Sequence, residues 1–583
     1  MNVLTLEVLW NRLLAVVNEQ QVTLIRTAFS TVVRESQDLA CGVFDSRGQM
    51  VAQSLTGTPG HINAMATGVR HFLRAFPAET LEPGDVLITN DPWLTAGQIN
   101  DMTVLTPVFL GDRVIGYFAS CCHSPDVGGR LYGAGAAEVY EEGIRIPIMH
   151  LFRSGTPNAD LISLIRANVR VPAETVGDLY AQAACNDVGS RELVGFLKEF
   201  GLDELDSLAD AIIERSEAAM RQAVTVLPDG TYSSENWADG FDDQPVRIAV
   251  AVTIAGDEVT IDFAGSSDQM PNGLNVVLNY THAYASFAIK AAINPEVPHN
   301  EGAFRPVHVT APEGSIFNCL EPAAVAARHL LGHMIPSTVY AALVQALPGR
   351  LMAGGADALW LTVWRGLWPQ SRRMFTFTLF QSGGAGARSG KDGLQTNGYP
   401  SGVAGVPAEI FESRTPLVMH RKELVTDSGG AGRFRGGLAQ EAHVSYLGDA
   451  GWGVSTLIER TRFPGLGVAG GRPGGLGSFR LESGEKPAAK RFVALPPEAR
   501  VELVLPGGGG YGEPRARPPE AVLRDVVYGY VSLAAAEAEY GVVIRSSARP
   551  DQLVLLPEHY RIDPEATAKL RAPAAVPGEG ADG

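Results

Sequence analysis

Four residues with side chains suited to chemistry crowd one short stretch of this chain. Asp91, Asp101, His123 and Asp126 fall within 36 residues, in NDPWLTAGQINDMTVLTPVF (90–109) and FASCCHSPDVGG (118–129). Carboxylates and imidazoles bind metals and carry protons. Two apolar runs separate Asp101 from His123. A turn at Gly111-Asp112 would pair a strand over 102–110 with one over 113–121. The far ends of that hairpin would then meet, placing Asp101 beside His123. One carboxylate with one imidazole suits a metal ion. Asp38, in RESQDLACGVFD, opens another strand and offers a further carboxylate. Acids and histidines at strand ends also serve as caps or surface groups, so the pairing carries the reading and the residue types alone do not.

Other motifs carry less. LFQSGGAGARSGKDG (379–393) lacks phosphate-loop spacing, because Ala385 stands five residues before Gly390 and Asp392 follows Lys391. GVAGGRPGG (467–475) follows no clear strand-to-helix pattern. Both read as glycine turns packed at close quarters. There is no GxSxG elbow, and DSGGAGRFRGG (427–437) has no base near it in sequence. The Cys121-Cys122 pair reads as two buried thiols at a strand end.

The elements that must position these groups give a mixed α/β (α+β) chain, with several mixed sheets flanked by helices. A helical stripe of Leu6, Leu9, Leu13, Val16 and Val17 predicts one long helix over residues 5–30, with Thr5 at its N-cap. CGVFDSRGQMVAQ (41–53) predicts a hairpin turning at 46–48, residues 62–76 a helix, and DVLITND (85–91) a strand. Six segments follow from such patterns: an α/β block over 1–155 holding the candidate site, a helical segment over 156–225, and a mixed region over 226–350. Next come a Gly-rich, β-rich region over 351–515, a helical segment over 516–570 and a disordered tail over 571–583. Within them, Gly256-Asp257 tips a β-hairpin, Pro336 breaks a helix, and PGGGGYGEP (506–514) is a flexible, turn-rich stretch.

Composition excludes some classes of function. The chain has 583 residues, 45% hydrophobic and 19% charged, which suits a buried core and not disorder. A net charge of −17 argues against nucleic acid and anionic membrane surfaces as partners. No apolar run is long enough to span a bilayer, and no signal peptide is visible. Five cysteines without a CxxC suggest a reducing, cytoplasmic compartment.

Taken in order, TLEVLWNRL (5–13), RTAFSTVVRESQDLACGVFD (26–45), NDPW (90–93), CCHSPDVGG (121–129), EVYEEGIRIP (138–147), GDLYAQ (177–182), SGGAGRFRGG (428–437) and PGGGGYG (506–512) resemble the hydantoinase B family. The resemblance runs from about residue 4 to 545. It implies a two-component enzyme. An A-type partner binds ATP in an actin-like fold and phosphorylates a substrate carbonyl oxygen, and the B-type subunit hosts attack on the activated carbon. It also implies a divalent metal (Zn, Mn or Fe), held by a carboxylate at Asp38, a His and an Asp three apart, and a second His about 25 residues after the first. Asp101 and His123 match the Asp and the second His. Gln98 stands where the first His is expected.

A neutral amide oxygen is a weaker ligand for a transition metal than imidazole. The site would therefore bind metal through three strong ligands and Gln98, prefer a harder cation such as Mn or Mg, or have lost metal. His61, in GTPGHINAM, and Asp126 are candidates for supporting or proton-transfer roles, with plain structural roles as the alternative. The resemblance implies a cyclic-amide hydrolase of hydantoinase, oxoprolinase or lactamase type, which the length favours. An acetone- or acetophenone-type ketone carboxylase subunit and a non-catalytic partner subunit are the alternatives.

Overall fold

The structure, a computed structural model, describes residues 3–242, 244–548 and 556–572. It has mixed α+β architecture: four sheets of four or more strands, one small two-stranded sheet, and helices packed on the larger ones. The opening helix α1 (Val3–Thr27) buries Leu6, Leu9, Leu13, Val16 and Val17, the stripe read from sequence. Thr5 lies inside α1 and is not its cap.

The first sheet positions the site. Its strands are β1 (Leu39–Phe44), β2 (Met50–Gln53), β3 (Val86–Thr89), β4 (Asp101–Leu110), β5 (Arg113–His123), β6 (Met149–Arg153) and β7 (Thr156–Pro157), in the order β2-β1-β5-β4-β3-β6-β7. Every neighbouring pair is antiparallel. Both faces are covered, so β4 and β5 read as nearly unbroken apolar runs. Alternation still decides which side chain faces which cover. Phe118 and Cys122 join the core formed with α1 and α3 (Pro172–Phe200). Tyr117, Ala119 and Cys121 join the core under α2 (Pro59–Ala75). By the same parity His123 points toward α2, the helix that carries His61.

The second sheet contains β8 (Gly230–Phe241), β9 (Gln244–Ala255), β10 (Glu258–Asp262) and β11 (Val307–Thr310), with β10 and β11 parallel. Gly256, at the tip between β9 and β10, has φ +63°. The helix α4 (Leu278–Ile293) links this region to the first sheet by packing on α2. A short turn of helix, α5 (His329–Gly332), precedes α6 (Ile335–Leu343). Pro336 falls in the first turn of α6, where the missing N–H costs nothing; it starts a helix where the sequence pattern suggested a break.

The Gly-rich region contains two antiparallel sheets. One has β12 (Trp360–Leu367) and β13 (Met374–Gln381) with Trp452–Leu457 and Phe492–Leu495. The other joins Leu417–Leu424, Gln440–Tyr446, Ser478–Leu481 and Arg500–Val504. Between them, glycine segments lie against one another. Gly508 N–H donates to Gly437 O at 2.9 Å, and Gly430 N–H to Gly508 O at 2.8 Å. A Cβ on Gly508 would lie 2.0 Å from Ala385 O. The PGGGGYGEP stretch, expected to be flexible, is therefore mostly buried and closely packed, because only bare backbone fits at that spacing.

The C-terminal segment is not uniformly helical. Helices Pro519–Val527 and Leu533–Ala538 are followed by a strand pair, Ile544–Ser546 with Tyr560–Ile562, and helix Pro564–Arg571. Gly529, at φ +72°, separates the first two helices. The expected tail lies outside the described residues from 573 onward. Among the described residues no helix is long and apolar enough to cross a membrane.

Candidate functional site

The β4–β5 hairpin has the register read from sequence: Asp101 is the direct partner of His123. Both are buried, and His123 Nδ1 lies 3.1 Å from Asp101 Oδ1. The ring of His123 stands edge-on to Tyr132 and Phe380, with centroids 5.3 and 5.8 Å apart.

Asp38 enters from the residue before β1, with Oδ2 4.0 Å from His123 Nδ1. Thr58 occupies the N-cap position of α2 but spends its hydroxyl on Asp38, donating to Oδ1 at 2.8 Å. One turn into α2, His61 lies between the two acids, its Nε2 3.1 Å from Asp101 Oδ2 and its Nδ1 3.6 Å from Asp38 Oδ1. Burial opposes a charge on His61, but Asp101 and Asp38 outweigh it and raise its pKa.

Arg328, just before α5, completes the cluster. Its guanidinium is buried, stacks on Tyr280 of α4 with Cζ 3.8 Å from the ring centroid, and donates to Ala96 O at 2.8 Å and to Asp101 Oδ2. Burial alone would lift Asp101, but His61 and Arg328 reverse this and hold it well below the ordinary carboxylate range. Gln98 donates its amide to Asp101 Oδ1 at 2.9 Å and lies 3.0 Å from His123 Nδ1, while its Oε1 lies 2.7 Å from the Tyr132 hydroxyl.

Asp38, His61, Gln98, His123 and Arg328 line a cavity of about 20 Å³, room for one water, closed further by His329 and His333, while Asp101 lies behind them. Burial, reinforced by the charge on Arg328, pushes His329 down to about 3, so its imidazole is neutral at physiological pH. Its Nε2 has no hydrogen-bond partner among the described residues, nor does His61 Nδ1, whose nearest acid, Asp38, stands 3.6 Å away. Tyr132 also lines a larger neighbouring pocket of about 330 Å³, which carries Ala326, Arg130, Lys490, Arg491 and Glu142.

Comparison with known proteins gives this site a family. The family model described as hydantoinase B/oxoprolinase matches residues 2–514. The chain belongs to the hydantoinase B/oxoprolinase family. A protein of Pseudomonas sp. (strain NS671) assigned as the B component of a D-/L-hydantoinase is 30% identical, over 94% of this chain and 96% of its own length. The beta chain of the caprolactamase of Pseudomonas jessenii is 31% identical over 94% of this chain and 97% of its own. The crystal structure of ATP-dependent caprolactamase from that organism superposes with a TM-score of 0.87 at 29% identity, covering 98% of this chain and 99% of the other. An acetone carboxylase structure reaches a TM-score of 0.86 at 20% identity, covering 97% of this chain and 82% of the other, a likeness of fold.

Within this hydantoinase B chain the structure gathers Asp38, His61, Gln98, Asp101 and His123 into one cluster. Asp126 is elsewhere: it accepts the side chain of Arg170 at 2.6 Å and the backbone N–H of Gly128 at 3.3 Å, an ion pair that ties the loop after β5 to the start of α3. Asp91 likewise pairs with Arg145, at 2.6 Å. Burial pushes the thiols of Cys121 and Cys122 well up, so neither is a ready nucleophile. Sequence reading missed Arg328, His329 and His333. Their signal was there, since RHLLGH puts two histidines four apart beside an arginine in an otherwise apolar run.

The expected ligand set does not fit a divalent metal in this arrangement. Each oxygen of Asp101 already has two partners, and one of them is a permanent cation. Gln98 must turn its NH₂ toward Asp101, because an amide oxygen there would lie 2.9 Å from a carboxylate oxygen. Among the described residues no group of three or more His, Cys, Asp or Glu is disposed to hold a metal ion.

Proposed function

We propose that this chain is the B-type subunit of a two-component, ATP-dependent cyclic-amide hydrolase of hydantoinase, oxoprolinase or lactamase type, working with an A-type partner that binds the ATP. An amide carbonyl is a poor electrophile. Phosphorylation of its oxygen by the partner makes the carbon attackable: water adds to it, the ring C–N bond breaks as the water's proton passes to the nitrogen, and a second water frees phosphate from the acyl phosphate left behind. The B-type subunit then has to supply a positioned water and a fixed positive charge.

The observation that carries this reading is the one-water cavity, bounded by the β4–β5 hairpin end, His61, Arg328 and His329. His329, neutral and with Nε2 free of a hydrogen-bond partner among the described residues, orients the attacking water. Arg328 sets a fixed positive charge on the wall of the water cavity, and Asp101 fixes its guanidinium. His61 and His123 hold the two carboxylates in place. The 330 Å³ pocket on the other side of Tyr132 has the size for a small cyclic amide, and Arg130, Lys490 and Arg491 suit its phosphorylated form.

The test is ATP turnover by this chain purified together with an A-type partner, with cyclic amides supplied in the absence of bicarbonate. Amide-driven turnover that falls sharply in His329→Ala, with assembly intact, is the expected result. A strict bicarbonate requirement would move the chain to the ketone carboxylases. Unchanged turnover in the variant would leave it a non-catalytic partner.

A further inference from the structure

We infer that Arg328 occupies the electrostatic position of a divalent cation, making this site metal-independent. The loop before β4 is built around the guanidinium. Gly97 has φ +87°, and a Cβ there would lie 2.9 Å from both Arg328 Cδ and Nε. Ala96 turns its carbonyl to Nε at 2.8 Å. Tyr280 closes the opposite face of the guanidinium, with Cζ 3.8 Å from its ring centroid. Gly332, one turn on, leaves room for that ring, since a Cβ there would meet Tyr280 Cε1 at 2.4 Å. The loop at Ala96 and Gly97, α4 and α5 therefore converge to hold one side chain at 2% exposure against Asp101.

The adjoining Gln98 completes the arrangement. Its NH₂ end points at Asp101, so a hydrogen-bond donor stands where a metal ligand would have to present a lone pair. A divalent ion here would meet the guanidinium on the same carboxylate, and like charges in a buried site repel strongly. An arginine cannot release its proton to relieve this. Position 98 and position 328 thus act as one unit. With Arg328 in place, an amide donor at 98 completes the coordination of Asp101. Without it, a lone-pair donor at 98 would leave Asp101, His123 and Asp38 free to close on an ion.

The inference rests on the donor set and not on the hydrolase reading, and metal content reports on it whatever the activity proves to be. The full chain is expressed in medium supplemented with zinc, manganese and iron, desalted, and its metals measured by inductively coupled plasma mass spectrometry. Wild type should carry less than about one-tenth of an equivalent of any divalent metal, and Gln98→His should carry no more. The double variant Gln98→His/Arg328→Met should retain close to one equivalent of zinc. About one equivalent in wild type, or in Gln98→His with Arg328 still present, overturns the inference. Should the double variant fail to fold, wild type and Gln98→His decide it between them.

Discussion

Glu142 should make the protein's stability depend on pH, through a carboxyl that holds the backbone leading to Arg328. It is 6% exposed, and its Oε1 accepts the N–H groups of Val325 and Ala326 at 2.8 and 2.7 Å, three and two residues before Arg328. Its Oε2 has no partner among the described residues. Burial lifts its pKa to about 8 against the lowering effect of those two N–H groups, from an ordinary value of 4.5. A carboxyl whose folded pKa is raised holds its proton more tightly folded than unfolded. Its contribution to stability is complete below the unfolded value and is lost as pH rises toward the folded one. The raised value amounts to a loss of about 3 kcal/mol between pH of about 5.5 and about 8.5, at 1.36 kcal/mol per pKa unit. Glu142→Gln keeps an acceptor oxygen for both backbone groups and cannot ionise. Urea unfolding at the two pH values should show wild type losing stability as pH rises and the variant losing about 3 kcal/mol less. At the higher pH the variant should be the more stable protein. An unchanged pH dependence, or a variant weaker than wild type at both values, refutes the assignment of a buried, protonated carboxyl.

Three further outcomes follow from the geometry. His329→Ala should lower amide-driven turnover by about 10²-fold at some cost in stability but with assembly intact, checked by steady-state kinetics on the assembled enzyme. Asp126→Asn breaks the ion pair with Arg170; it should cost about 1–3 kcal/mol in denaturant titrations and leave kcat within about twofold, since its carboxylate does not line the cavity. Gly97→Ala forces an L-residue to φ +87° and pushes a methyl onto Arg328. It should destabilise the chain by at least about 1–2 kcal/mol and depress turnover, seen by unfolding and kinetics together.

What could be read from sequence follows from where the information lies. The hairpin end was legible because matched apolar runs around Gly111-Asp112 fix a register, and a register fixes which residues face one another. Asp38 and His61 belong to the same legible block: β1 pairs directly with β5, and α2 covers one face of the sheet. Arg328 and His329 carried a signal in RHLLGH, but their place was not legible, because they reach Asp101 and His123 across more than 200 residues and nothing in the run over 323–347 says which strand end they meet. The glycine stretch at 507–510 misled for a related reason: glycine permits flexibility on its own and close packing in company, and only the neighbouring strands decide between them. Position 98 unites both cases. Read alone, Gln98 is a weakened metal ligand whose consequence is open. Set beside Arg328 it becomes the donor that an already charge-paired Asp101 requires, so the meaning of one side chain is decided by another 230 residues away.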